Sequence, residues 1–239
     1  MNPDRATTNH EPWRDAPVPA AYQGLWRRLS LIRPDGTRDA TTLVLWLQTP
    51  EHHADLRIPA DRPDLTGAAG LDELDIPDLL ALARQEGFAG GQQYRTGQLA
   101  WRRVIDFAPS DGPPDEGIME ATGPGRFTET GLHVAYGEDW LREDGAEGPF
   151  AARVERAPFP RFLLRAGRWV ALAEDRRPAP PPPGGLVERA EAAAAAGDRQ
   201  ALRDLLDCPI SFAEIGTDGI ARIRHSSHPW LEGGRLPVP

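Results

Sequence analysis

Between Gly24 and Trp140 the chain is a succession of short runs in which apolar and polar positions alternate, separated by glycine, proline and aspartate. A period of two is the signature of strands with one buried face. Gly24 to Ile32 (GLWRRLSLI) is followed by Arg33-Pro34-Asp35-Gly36, a turn in which proline presets φ and glycine accepts unusual angles, and then by Ala40 to Gln48. Thr49-Pro50-Glu51 turns the chain into His52 to Ile58, which Pro59 stops because it has no N–H for the ladder. Ile76 to Glu86 predicts a short helix that plugs or flanks the strands, with Asp75 as cap, Pro77 in the first turn and Gly87 as its left-handed end. Further strands are expected at Gln92 to Thr96, Leu99 to Phe107, Gly117 to Thr122, Arg126 to Thr130, Leu132 to Trp140, Ala151 to Glu155, Arg161 to Ala166 and Arg168 to Glu174.

The proline run from Pro178 to Pro183 predicts a stiff extended spacer. Behind it, Leu186 to Ala196 and Arg199 to Leu206 form a helical pair broken at Gly197-Asp198, and Ile210 to Ile215 with Ile220 to Arg224 make a last hairpin, expected to return to the earlier strands. Residues 1 to 20 read as a flexible leader. Residues 21 to 239 then form one barrel domain, with 178 to 207 as proline-rich linker and helical insertion.

About ten antiparallel strands in hairpin succession with few helices predict a mainly β, up-and-down barrel, in which closure removes exposed edges; an open sandwich is the alternative. Gly24-Leu25-Trp26 resembles the Gly-x-Trp opening of lipocalin-like, or calycin-type, barrels. That resemblance implies a tryptophan packed at the closed end against an arginine from a late strand, a place Arg222 or Arg224 can fill. The run WLQTPEHHADLRIP and the late RIRHSSHPW also resemble a set of uncharacterised bacterial proteins of calycin type, over most of residues 20 to 235.

Candidate chemistry concentrates on Leu43 to Pro59. His53, Asp55 and Arg57 share one strand face, and His52, Ala54, Leu56 and Ile58 share the apolar other. The trio either faces solvent, as an exposed ion pair contributing about 0–1 kcal/mol, or lines the barrel while helices and loops cover Leu56 and Ile58. In the second case Arg57 anchors a carboxylate or enolate, and His53 moves a proton under the influence of Asp55. Trp46 and Gln48 share a face on the preceding strand, Tyr136, Glu138 and Trp140 on a later one, and Trp101, Arg103, Ile105 and Phe107 on another. The ligand-lining set is Trp46, Gln48, Arg57 and Tyr136, with His53, Asp55 and Glu138 as the catalytic groups if the barrel is an enzyme.

Charge and composition narrow the field. Charged residues make up 26% and hydrophobic ones 40%, ordinary for a folded chain, while 25 prolines and 24 glycines suit many turns. A net charge of −9 argues against a broad phosphate-binding surface, so nucleic acid is not expected. No apolar run approaches the roughly 20 residues that span a bilayer, the N-terminus lacks a signal-peptide core, and the single cysteine, Cys208, precludes an internal disulfide. A cytoplasmic protein with no membrane partner follows. His52-His53 and His225-x-x-His228 do not present clean paired ligands, so no metal or cofactor is expected. Walker, dinucleotide, Gly-x-Ser-x-Gly and His-Glu-x-x-His motifs are absent. The reading is a binder of a small organic molecule. Its alternatives are a cofactor-free acid/base enzyme (isomerase, dehydratase or cyclase) on the same barrel, or a non-catalytic interaction protein; oligomeric state is not legible.

Overall fold

A computed structural model describes residues 12–15, 17–179 and 181–239. Residues 1–11 and 16 of the expected leader, and Pro180 of the proline run, lie outside the described residues.

The first half of the chain closes into an antiparallel barrel. Its strands are β1 (Gly24–Ile32), β3 (Leu43–Gln48), β4 (His52–Ile58), β5 (Glu86–Arg95), β6 (Gln98–Asp106), β7 (Glu116–Gly123), β8 (Arg126–Gly131) and β9 (Gly137–Arg142), while β2 (Arg38–Asp39) is a two-residue addition to the end of β1. Each strand pairs with the next, and β9 returns to β1 with Trp26 opposite Arg142 and Ile32 opposite Gly137, so eight strands close without an edge. The mainly β, antiparallel barrel expected from the alternation is therefore present.

Six later strands do not join it. β10 (Phe150–Glu155), β11 (Arg161–Ala166), β12 (Trp169–Glu174), β13 (Ile210–Ile215), β14 (Ala221–Ser226) and β15 (Arg235–Leu236) form a second antiparallel sheet. The last hairpin, expected to return to the barrel, pairs with β12 instead. The reason is topological: once β9 bonds β1 the ring of eight strands is complete, and the strands that follow β9 pair with one another. α2 (Leu186–Ala195) and α3 (Arg199–Leu206) lie in the chain between β12 and β13, and Asp198 caps α3 through the Ala201 N–H at 2.9 Å.

The second sheet is what covers the barrel's apolar exterior, where helices and loops alone were expected. Leu45, Leu47, Ala54 and Leu56 from β3 and β4 share one core with Phe162, Leu164, Ala173, Ile210 and Phe212, each fully or nearly buried. Burying a leucine of this kind contributes about 2 kcal/mol. α1 (Ile76–Leu82) flanks the same core through Leu79 and Leu82, with the Asp78 N–H donating to the Asp75 cap at 3.0 Å. α1 stops four residues before the expected end, and Gly87, expected as its left-handed terminus, lies in β5. There a Cβ would meet the Asp55 carbonyl oxygen and Ile210 Cδ1, both at 2.8 Å, so Gly87 leaves room for Ile210 of the second sheet to pack against the barrel. Arg177 joins the two by another route, holding Asp175 while donating to the carbonyls of Asp106 and Phe107.

The expected leader is attached to the barrel where it is described. Arg14 and Tyr94 exchange backbone hydrogen bonds of 3.2 Å, and buried Val18 joins the interior cluster of Trp26, Leu99 and Met119. Among the described residues no helix is long and apolar enough to cross a membrane.

Candidate functional site

Alternation on β4 sends Ala54, Leu56 and Ile58 outward into the shared core and turns His53, Asp55 and Arg57 into the barrel. Asp55 is only 1% exposed, which removes the solvent-facing alternative. The β3–β4 register sets Trp46 opposite Asp55 and Gln48 opposite His53. β6 departs from its expected single face: a bulge at Arg103 and Val104, opposite Ala89 and Gly90, leaves Trp101 beside the cavity and turns Ile105 and Phe107 into the outer core.

These facings enclose a cavity of about 270 Å³. Trp46, Trp101, Trp140 and Phe88 wall it, and Asp55, Arg57, Arg103, Glu129, Tyr136 and Glu138 supply its polar lining. The tryptophans meet edge to face, with centroids 5.7 Å apart for Trp46 and Trp101 and 5.8 Å for Trp46 and Trp140. Arg33, Pro34 and Val134, all well exposed, frame the entrance. A shallower groove of about 520 Å³ adjoins it through Trp101, Arg103, Asp115, Val134 and Tyr136.

Ion pairs organise the polar wall. Arg57 Nε donates to Asp55 Oδ1 at 2.9 Å, Arg28 donates to Glu138 at 2.7 Å and to Asp39 at 3.2 Å, and Arg103 to Asp106 at 3.0 Å and Asp115 at 2.6 Å. The guanidinium carbons of Arg57 and Arg103 lie 5.3 and 3.7 Å from the Phe88 ring centre. Burial pushes the Asp55 carboxyl up to about 6 although Arg57 pulls it down. Glu129 stands directly opposite Glu138 on the β8–β9 pair and accepts a 2.7 Å hydrogen bond from the Tyr136 hydroxyl. Burial, reinforced by Glu138, holds Glu129 well above the usual carboxylate range, and burial beside Glu129 raises the Tyr136 phenol. Gly117 leaves the space Glu129 occupies, since a Cβ there would lie 2.9 Å from Glu129 Cγ.

Of the residues singled out in the sequence, Trp46, Asp55, Arg57, Tyr136 and Glu138 meet at the cavity, and Gln48 and His53 do not line it. His53 is fully buried against Phe88, its ring centre 5.6 Å away. Burial, with Arg103 nearby, lowers its pKa to about 3. Asp55 bonds Arg57 and not His53, so the expected His53–Asp55 partnership is corrected. Gln92 lies beside His53, yet neither ring nitrogen nor either Gln92 amide atom reaches ordinary hydrogen-bond geometry. The indole N–H groups of Trp46 and Trp140 are also buried with no hydrogen-bond partner among the described residues.

Glu129 escaped sequence reasoning although a signal exists: it shares a face with Phe127 on β8, and the β8–β9 hairpin register sets it against Glu138. The arginine over Trp26 is Arg142 of the closing strand, 5.5 Å from the ring centre. Arg222 and Arg224, expected in that role, pair with Asp218 and Glu214 on the second sheet. Among the described residues no group of three or more His, Cys, Asp or Glu side chains is arranged to hold a metal ion.

No protein-family model and no curated protein matches the chain. Among solved structures it is similar to the uncharacterised protein YLR301w from Saccharomyces cerevisiae, with a TM-score of 0.55, 14% identity, and coverage of 85% of this chain and 84% of that one. At that identity the likeness shows a shared fold and carries over no activity.

Proposed function

We propose that the protein binds a small organic molecule inside the barrel. The observation that carries this is the cavity of about 270 Å³ walled by Trp46, Trp101, Trp140 and Phe88. Its size lies near the lower end of ordinary ligand pockets, roughly 300 Å³, and its few polar groups are held in place by ion pairs that fix orientation. We place the chain with lipocalin-like barrels, supported by Gly24-Leu25-Trp26 at the start of β1 and Arg142 over Trp26, and in the cytoplasm. Native mass spectrometry of protein purified from its host tests the reading, with a retained small molecule as the expected result. Arg57→Ala, folded by circular dichroism, lowers retention because Arg57 fixes Asp55 and covers Phe88; unchanged retention removes Arg57 from the site.

A second reading has its own observation in favour. The Asp55 carboxyl at about 6, close to neutral pH, and the Tyr136–Glu129 hydrogen bond suit cofactor-free proton transfer, with Glu129 taking the part first given to His53. A turnover whose rate rises through pH 6 and loses that step in Asp55→Asn supports an enzyme; the same step persisting in Asp55→Asn removes Asp55 from that role.

A further inference from the structure

The guanidiniums around the cavity are already neutralised. Arg28 holds Glu138 and Asp39, Arg57 holds Asp55 at 2.9 Å and Glu86 at 3.6 Å, and Arg103 holds Asp106 and Asp115. Arg33 stands at the entrance, 48% exposed and 3.9 Å from Asp39. Glu129 is different: it is 4% exposed, directly opposite Glu138, and accepts its hydrogen bond from a neutral phenol, Tyr136. An anionic ligand would compete with carboxylates for every arginine it met. A cationic ligand meets a carboxyl that no guanidinium among the described residues bonds, within a wall of indole and phenyl rings whose faces attract cations.

We propose that the cavity takes an organic cation, a protonated amine on a flat apolar body, with its ammonium group against Glu129 and Glu138. This rests on the small-molecule reading above and gives it a ligand class. The groups facing Glu129 are Glu138 from β9, Tyr136 from the segment before it, Asp115 from the segment before β7 and Arg57 from β4. Burial and Glu138 raise the Glu129 pKa in the free cavity and so favour its protonated form. An arriving ammonium favours the carboxylate, so that proton leaves to solvent as the amine binds.

Isothermal titration of the full chain at pH 7 compares three probes of one shape: tryptamine as cation, indole as neutral body and indole-3-propionate as anion. Two buffers of different ionisation heat count the protons. Tryptamine is expected to bind at least tenfold more tightly than either other probe and to release up to one proton. Glu129→Gln, which keeps the shape, should abolish both the tenfold preference and the release. Indole, which carries no charge, should bind Glu129→Gln as it binds the wild type, separating lost charge recognition from a loosened wall. Equal or tighter binding of indole-3-propionate, or a preference that survives in Glu129→Gln, overturns the proposal. If indole binds and tryptamine binds no better, the amine class falls and the cavity reading stands; if none of the three binds, both fall.

Discussion

Glu129 and Glu138 face each other across the β8–β9 pair, and among the described residues only Glu138 is held by a guanidinium, that of Arg28. Burial, reinforced by Glu138, pushes the Glu129 carboxyl toward its protonated form. Because the folded state raises the Glu129 pKa above its unfolded value, its contribution to stability is complete at low pH and is lost as pH rises through the raised value. Glu129→Gln removes this penalty and still accepts from Tyr136. Urea unfolding from pH 5 to pH 8 should show the Gln variant gaining on the wild type as pH rises; parallel curves would mean that Glu129 is not protonated in the fold.

At Gly87 the barrel packs against Ile210 of the second sheet with no room for a side chain, since an added Cβ meets backbone at Asp55 and the end of Ile210. Gly87→Ala should cost about 1–3 kcal/mol. Ile210→Val removes the Cδ1 atom and should relieve part of that cost in the double variant, leaving the clash with the carbonyl. Chemical denaturation of both single variants and the double gives the coupling. Strict additivity would place the strain elsewhere.

The barrel was legible because period-two alternation and turn chemistry are local. Gly24 to Ile32, His52 to Ile58 and Arg161 to Ala166 form strands at the expected bounds. What was not legible depends on pairings distant in sequence. Nothing in Arg142 announces that β9 closes on β1, and that closure strands the last six strands in a sheet of their own. The same limit applies to the site. Tyr136 and Glu138 were readable from their shared face, whereas Glu129 needed the hairpin register, and the outward turn of Ile105 needed a bulge set by the neighbouring strand.

Cys208 packs with no exposure between α3 and β13, and burial raises its thiol pKa well above the ordinary value although Arg177 opposes the shift. A thiol that is both covered and protonated does not react. Native protein should give no colour with Ellman's reagent over an hour at pH 8, and one equivalent in denaturing urea. Prompt native reaction would show that the segment around Cys208 opens readily.

His228, beyond the end of β14, contributes to the acid sensitivity of the fold. Its Nε2 lies 2.9 Å from the Leu206 carbonyl oxygen, its ring packs tilted against Trp230 with centres 4.7 Å apart, and burial lowers its pKa to about 4. The unfolded chain protonates this histidine near 6.5, so as pH falls from there to 4 the unfolded state gains a proton that the folded state refuses. The window spans about 2.5 pH units and is worth roughly 3 kcal/mol. Buried His53, lowered to about 3, acts in the same direction, while Asp55, raised to about 6, opposes both between pH 6 and 4. Stability should therefore fall on acidification less steeply than two histidines alone would require. His228→Gln cannot titrate: its urea midpoint should start below the wild type at pH 7, through lost packing on Trp230, and decline more slowly between pH 6.5 and 4. Equal slopes for the two proteins over that range would mean that His228 is protonated in the folded chain.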